Sequence, residues 1–466
     1  MRLRGTGIAL AVILVAGACA SAVATPAATA GPTFTPTPTN TASPTALASP
    51  TPSPSPSATS SPSPTSSAIN FAVAMGAAKL AVPAADGGVL AGTEINEFGL
   101  DLLRRLDSSG NLCASPTSIA LALAMVRPGA RGATATEIDT VLHKFGTTGQ
   151  ASEIVALLQA LKAVGNSEED PADELDVASA VFSQEGMSLE QAYLDSLSSE
   201  FGAGVGLLDF KNDPESARLT INQWASKWTK GRIPAVLQPG DVDTFTRIAL
   251  ANAIYLKAAW DHQFDPKATS SQPFTRSDGS KVSVPTMAID DEYLYAAGKG
   301  YRAVQLSFDT SATMTIIVPD NMSSFVAGLT ASQLGTIEHQ LSGYLVDLTL
   351  PKFSADSRFD LADVLPAMGM PTAFEMPTPS GGADLSGITL DENLYIQHVI
   401  HEANIDVDEN GVVASAVTVV IGGAGAAEPP PKVTFHIDKP FLYFIQERST
   451  GAILFMGRID DPSAAS

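Results

Sequence analysis

GVVASAVTVVIGGAGAA, residues Gly411–Ala427, runs without a charge, a proline or an aromatic ring and then stops at Glu428-Pro429-Pro430-Pro431. Its first half, made of Val, Ala, Ser and Thr, suits a strand. Its second half, Gly and Ala, has too little side-chain surface to anchor in a core. One reading is a flexible connection between two strands. Loops of this length usually carry polar residues, however, and an uncharged strand-forming loop is an aggregation hazard unless something receives it. The second reading is a loop with a use, one that something receives.

The sequence around this loop is mostly strand. Arg247–Lys257 is nearly all apolar, as a central strand buried on both faces would be. Thr313–Val318 ends at Pro319-Asp320, and Val346, Leu348 and Leu350 alternate as in a half-buried strand. Phe441–Gln446 and Ala452–Ile459 form a hairpin around Ser449-Thr450-Gly451. The earlier half is helical. A first helix is expected over Thr93–Leu106, and Ser115-Pro116 is a cap with proline at the first helical position. Thr134-Ala135-Thr136-Glu137 reads as a capping box. Asp213-Pro214 opens a helix whose Ile221, Trp224, Ala225 and Trp228 share a face, and Gly231 ends it. Helices first and antiparallel strands later indicate an α+β fold.

The 466 residues carry 27 basic and 49 acidic side chains, a formal charge of −22. That balance repels phosphate backbones, so neither nucleic acid nor a polyanion cofactor is expected as a partner. Two cysteines exclude a disulfide framework. At the N-terminus Arg2 and Arg4 precede an apolar stretch, Ile8–Ala16, and small residues ending at Cys19. Residues 1–19 have the layout of a bacterial export signal, too short for a spanning helix. Ala16-Gly17-Ala18-Cys19 resembles a lipobox without its usual leading leucine, which makes Cys19 a lipidation site. Ordinary cleavage at Ala22-Val23-Ala24 is the alternative. Residues 20–70, rich in Pro, Ser and Thr, cannot offset their ordering entropy and read as a disordered tether or a sugar-decorated stalk. In a polyproline-like form the stretch Thr25–Ser67 could reach on the order of 130 Å. Residues 71–466 carry neither an internal repeat nor a second linker and are expected to form one domain.

Enzyme motifs are missing. The chain has no G-x-S-x-G elbow, P-loop or H-E-x-x-H. His398 and His401 lie on a predicted strand at a spacing that puts them on opposite faces, so they cannot share a metal. Asp406–Gly411 begins like an EF-hand calcium loop, but Val417 stands where a bidentate glutamate is needed. Cys113, beside Leu112, reads as a small buried apolar residue, with a nucleophile the remoter alternative. No cofactor and no metal site are expected, and the chain does not read as an enzyme.

Four blocks, in order and at matching spacing, carry a resemblance to the serpin family across Thr93–Pro462. The first is Leu112–Val126 (LCASPTSIALALAMV) with Gly129-Ala130-Arg131-Gly132 and Thr136-Glu137-Ile138. The second is Leu250–Trp260 (LANAIYLKAAW) with Phe264-Asp265-Pro266 and Val284-Pro285-Thr286-Met287. Asp384–Ile388 and His401–Gly411 (HEANIDVDENG) make the third, and Lys439–Ile445 with Leu454–Arg458 the last. The resemblance implies three β-sheets, eight or nine helices and an exposed reactive-centre loop after Gly411. It implies inhibition of a serine, or alternatively a cysteine, endopeptidase. The protease attacks the loop, and the cut loop enters the large sheet as a new strand before water can release the acyl-enzyme.

Carried onto this chain, the family's hinge covers Gly411, Val412, Val413, Ala414, Ser415, Ala416, Val417 and Thr418. Inhibitory members usually have Thr or Ser where Val412 stands and Glu where Val413 stands, but valine is strand-competent. The scissile bond falls at Gly425–Ala426, with Ala424 and Ala427 as alternates, and every candidate is small and neutral. Shallow pockets of elastase-like or subtilisin-like proteases suit such residues better than a trypsin-like pocket. Ser115, Ser118, Asn252 and His401 match the polar "shutter" cluster beneath the sheet, and Trp260 matches the tryptophan at the breach where insertion starts. The expected partner is a target protease held covalently. The inhibitor is expected to be a monomer outside the cell, touching a membrane only through a lipid on Cys19. The alternative is a non-inhibitory serpin that serves as a binding or carrier module.

Overall fold

A computed structural model describes residues 8–18, 72–106, 110–164, 174–231, 233–412 and 430–464. In chain order, β1 (Ile8–Ala18) and β2 (Ala72–Ala74) precede α1 (Gly87–Leu103), and β3 (Leu112–Ala114) leads into α2 (Pro116–Val126). Then come α3 (Gly132–Val141), α4 (Ala151–Val164), β4 (Glu174–Gln184), α5 (Gln191–Ser196), β5 (Val205–Leu208) and α6 (Pro214–Trp228). The strand-rich half opens with β6 (Thr246–Ala259), β7 (Ser270–Thr275), β8 (Lys281–Gly298), β9 (Tyr301–Ser307) and β10 (Ala312–Pro319). It continues with α7 (Met322–Gly328), α8 (Ala331–Gln340), β11 (Ser342–Pro351), β12 (Phe353–Asp360), α9 (Val364–Met368) and β13 (Leu394–Val407). The last strands are β14 (Gly411–Val412), β15 (Lys432–His436), β16 (Phe441–Glu447) and β17 (Ile453–Ile459). Nine α-helices among the described residues and an antiparallel-rich strand set make the fold α+β, as the sequence indicates.

The central sheet has the order β12-β13-β1-β6-β4-β5-β2, and β14 adds to the end of β6. Its axis is β6, whose apolar run pairs antiparallel with β4 on one edge and β1 on the other. The second ladder has the order β15-β11-β8-β9-β10-β16-β17-β3, with β7 on β8. The eighteen-residue β8 joins two of the expected three sheets into this one ladder. It pairs with β7 over Lys281–Thr286, with β11 over Thr286–Tyr295, and with β9 over Leu294–Gly298. Helix α2 is buried on every face, packed between β6 of the central sheet and β17 of the second ladder. Its all-round apolar sequence is what such a position requires. Fully burying each of Ile119, Leu121 and Leu123 contributes roughly 2 kcal/mol.

Four expectations change. Helix α1 starts at Gly87 rather than Thr93 and ends at Leu103. Gly87, Gly88 and Gly92 hide its first turns from a periodicity reading, yet the close packing here demands small residues. A Cβ on Gly92 would stand 2.4 Å from the Thr450 carbonyl oxygen. The capping box does not form. Arg131 occupies the N-cap of α3, while Thr134 Oγ1 accepts from the Asp384 N–H and the Glu137 carboxylate accepts from Thr372. Tertiary bonds have taken both side chains. On α6 the buried stripe ends at Ala225, Phe182 meets Trp224 edge-on at 5.8 Å, and Trp228 at the last helical position is 42% exposed. Finally, Ile8–Ala18, expected to lie outside the fold, is a strand in the middle of the central sheet.

Candidate functional site: the strand slot and the root of the loop

Between β6 and β13 the central sheet holds one strand position, flanked on both edges by backbone donors and acceptors. Under it lies the first turn of α2. Ser115 caps that helix, its Oγ accepting from the Ser118 N–H at 3.2 Å, and both serines are fully buried. The Ser115 N–H donates to His401 Nε2 at 3.1 Å. Nε2 is therefore an acceptor and the ring proton sits on Nδ1. Nδ1 is buried with no partner among the described residues. Burial lowers the His401 pKa to about 3, so the ring stays neutral. Phe359 of β12 stacks on it with planes 9° apart. Asn252 sits in β6 with Ser179 of β4 opposite it on one edge and Val12 of β1 on the other. Ser115, Ser118 and His401 thus meet beneath the slot, and Asn252 takes its place in the strand beside it.

At the upper end β13 turns back toward β6. The Asp408 N–H donates to the Gly411 carbonyl and the Gly411 N–H to the Asp408 carbonyl, closing a tight turn. Gly411 has φ +132°, and a Cβ there would lie 2.4 Å from the Ala258 carbonyl oxygen. Only glycine fits. Gly411 and Val412 pair with Ala259 and Ala258 of β6, and Val412 is fully buried. Gly411 and Val412 are the first two residues of the hinge that the family resemblance implies. They already belong to the sheet, because the turn brings them against the free end of β6.

Trp260 fastens this corner. Its Nε1–H donates to the Asp408 carbonyl at 3.0 Å and its backbone N–H to the Asn410 carbonyl at 2.9 Å. The indole stacks on Phe308 at 4.6 Å. A second fastening escaped the sequence reading. Burial pushes the Glu409 carboxyl up, but bonds from Lys352 Nζ and Thr269 Oγ1, both 2.7 Å, outweigh it and hold the group below its ordinary range. The acidic run Asp406–Asn410 was the available signal, and it reads as a failed calcium loop.

Other candidates stay apart from the slot. His398 bonds Asp360 at 2.6 Å on the outer side of β13, and that carboxylate raises its pKa. Cys113 is fully buried with its thiol pushed up to about 12 by burial, so it is not poised as a nucleophile. No group of His, Cys, Asp and Glu suited to a metal occurs among the described residues. Cys19, Val413, Ala414, Ser415, Ala416, Val417, Thr418, Ala424, Gly425, Ala426 and Ala427 lie outside the described residues, as do tether residues 20–70.

A sheet with a strand position over a polar cluster, and a long loop rooted at the top of that position, defines a class of proteins whose sheet takes up an extra strand. Comparison with known proteins gives the class its family. The family model for serpin (serine protease inhibitor) matches residues 93–462. Leukocyte elastase inhibitor of Xenopus tropicalis is 32% identical over 378 residues, covering 78% of this chain and 97% of that protein. An uncharacterised serpin-like protein of Thermococcus kodakarensis is 35% identical over 375 residues, covering 79% and 85%. Among solved structures, the thermophilic serpin tengpin in its native state superposes with a TM-score of 0.70 at 24% identity, covering 83% of this chain and 97% of that one, a likeness of fold. The chain belongs to the serpin family.

Proposed function

We propose that this chain traps serine endopeptidases by inserting its cut reactive loop between β6 and β13, and that it favours elastase-like or subtilisin-like targets. The observation that carries this reading is the pairing of Gly411–Val412 with Ala259–Ala258. The root of the loop is already in the sheet and directed down the edge of β6 along which Ile8–Gly17 pairs from Leu256 onward, so with that position cleared each following residue would meet a backbone partner.

In the proposed reaction a protease serine Oγ attacks the Gly425 carbonyl. The peptide bond to Ala426 breaks, the Ala426 amine leaves protonated, and Gly425 remains as an ester on the enzyme. The loop then zips down β6. Roughly fifteen to twenty new backbone hydrogen bonds at about 1 kcal/mol net each supply on the order of 15–20 kcal/mol. A protease domain is stable by only about 5–15 kcal/mol, so being dragged along can distort its active site. The loop carries neither a charge nor a proline that would stop insertion. Small neutral residues at Ala424–Ala427 support targets with shallow pockets, as does a relative named for leukocyte elastase. The N-terminal sequence supports an exported protein, either lipid-anchored through Cys19 or free outside the cell.

Incubation with pancreatic elastase or subtilisin is expected to give a covalent band that survives denaturing electrophoresis, and trypsin is expected to give none. Mass spectrometry of the trapped species locates the cut bond. A chain that is cut and leaves the enzyme fully active, with no rise in its own melting temperature after nicking, belongs instead to the binding or carrier reading.

A further inference from the structure

β14 and β1 lie along the same edge of β6 and run in the same direction. Val412 stands opposite Ala258, and Ile8 stands opposite Leu256. In a loop inserted in continuation of the β14 register, each further residue would meet the next lower residue of β6, Ala414 opposite Leu256, Thr418 opposite Asn252 and Gly422 opposite Ile248. Those are the positions that Ile8, Val12 and Ala16 hold. The far edge of β1 is engaged too, with Leu10–Ala18 paired along β13 from Ala403 to Leu394. The chain therefore contains two segments for one strand position, and they exclude each other. Both suit it by composition. Ile8–Ala18 (IALAVILVAGA), like the loop, carries no charge and no proline that would break a central strand.

From this register we infer that the slot is a binding site for the chain's own leader, and that Ile8–Ala18 competes with the reactive loop for it. The consequence for trapping rests on the inhibitory reading above; the occupancy itself does not. A chain that folds with its leader attached is silent, because its cut loop finds the slot filled. A chain that loses the leader first folds with the slot free. The strand ends at Ala18, one bond short of the lipobox cysteine. Hydrolysis of the Ala18–Cys19 bond by a signal peptidase, water giving its hydroxyl to the Ala18 carbonyl and a hydrogen to the Cys19 nitrogen, removes the whole strand. Cleavage after Ala24 removes it equally. Export processing then doubles as arming, and the unexported pool cannot attack proteases inside the cell that made it.

The test compares the unprocessed full chain with the same chain carrying Val12→Pro and Leu14→Asp, which keep the leader but spoil it as a central strand. Hydrogen exchange reads occupancy directly. Slow exchange at Ile8–Ala18 in the unprocessed chain, lost in the double variant, supports the proposal. Exchange there as fast as in a free peptide overturns it. Trapping of pancreatic elastase reads the competition. A slot filled in about 99% of molecules lowers the trapping rate roughly a hundredfold relative to the double variant, and equal rates in two chains that both trap overturn the proposal. Should neither chain trap elastase while the leader amides are protected, the inhibitory reading falls and the leader's place in the slot stands. The processed chain starting at Cys19, tested in parallel, should trap as fast as the double variant.

Discussion

The Ser115 N–H donates to His401 Nε2 at 3.1 Å, which ties the first turn of α2 to the strand bordering the slot through a ring that must stay neutral. Protonating Nε2 would turn the acceptor into a second donor facing a donor, in a site with no water-facing surface. The pKa is lowered by burial from 6.5 to about 3. Between those values the unfolded chain binds the proton and the folded chain does not. Stability from this site is thus complete above about pH 6.5 and drains away as pH falls toward 3. His401→Gln should flatten that acid slope in a melting-temperature series. It should also cost about 1–2 kcal/mol at pH 7.5 if its amide fails to replace the Nε2 acceptor. An unchanged acid slope would remove His401 from this role.

The next residue along β13 has the opposite sign. Burial pushes the Glu402 carboxyl up to about 7, Asp356 adds to the shift, and Arg358 at 4.0 Å offsets only part of it. A carboxyl whose folded pKa lies above its ordinary value lends stability that is present below about pH 4.5 and lost as pH rises through 7. Glu402→Gln should therefore raise the melting temperature at pH 8 and leave it unchanged at pH 4. The side chain keeps 22% exposure, so solvent screens the effect to about 1 kcal/mol. A loss of stability at pH 8 would mean that the carboxylate has a favourable partner.

Gly411→Ala tests the root of the loop. The substitution puts a Cβ against the Ala258 carbonyl at a φ that side chains avoid, a strain of about 1–3 kcal/mol. Relief comes by releasing β14 from β6. The loop must then start its entry from outside the sheet, and insertion loses its race with deacylation. Elastase should cut the variant at the same bond while the covalent fraction drops several-fold and the cleaved, released fraction rises. A covalent fraction equal to that of the parent chain would show that the Gly411–Val412 pairing is not where insertion begins.

How far the sequence could be read depends on what kind of interaction sets each feature. Strands β6, β10, β16 and β17 follow from their own apolar runs, and Ser115 and Asp213 cap α2 and α6 as their spacing suggests. These are local effects. The shutter residues came from family resemblance, since no local pattern brings Ser115 to His401 across 286 residues of chain. What escaped was decided by partners remote in sequence. Thr134 and Glu137 lost their capping roles to Asp384 and Thr372, and glycines hid the start of α1, Gly88 and Gly92 packing on Thr450 and Gly87 on Glu153. The leader is the sharpest case. An apolar, uncharged stretch reads as an export signal from sequence, and its pairing beside β6 depends on partners far along the chain that no local pattern displays.

Trp260 allows hydrogen bonding and packing at the breach to be pulled apart. Its indole contributes one donor, Nε1–H to the Asp408 carbonyl, and a ring stacked on Phe308 and edged by Phe264. Trp260→Phe keeps most of the apolar contact but deletes the donor, so global stability should fall by only about 1 kcal/mol. Trp260→Ala empties a fully packed position and should cost about 3–5 kcal/mol. Trapping should not follow the same order of severity. The Asp408 carbonyl belongs to the turn that sets Gly411 against Ala259, so the lost donor loosens the root of the loop directly. The Phe variant should lose a larger share of its covalent complex with elastase than its small melting shift implies. A variant with Phe at this position that melts slightly lower yet traps at the parent rate would make Trp260 a packing residue and nothing more.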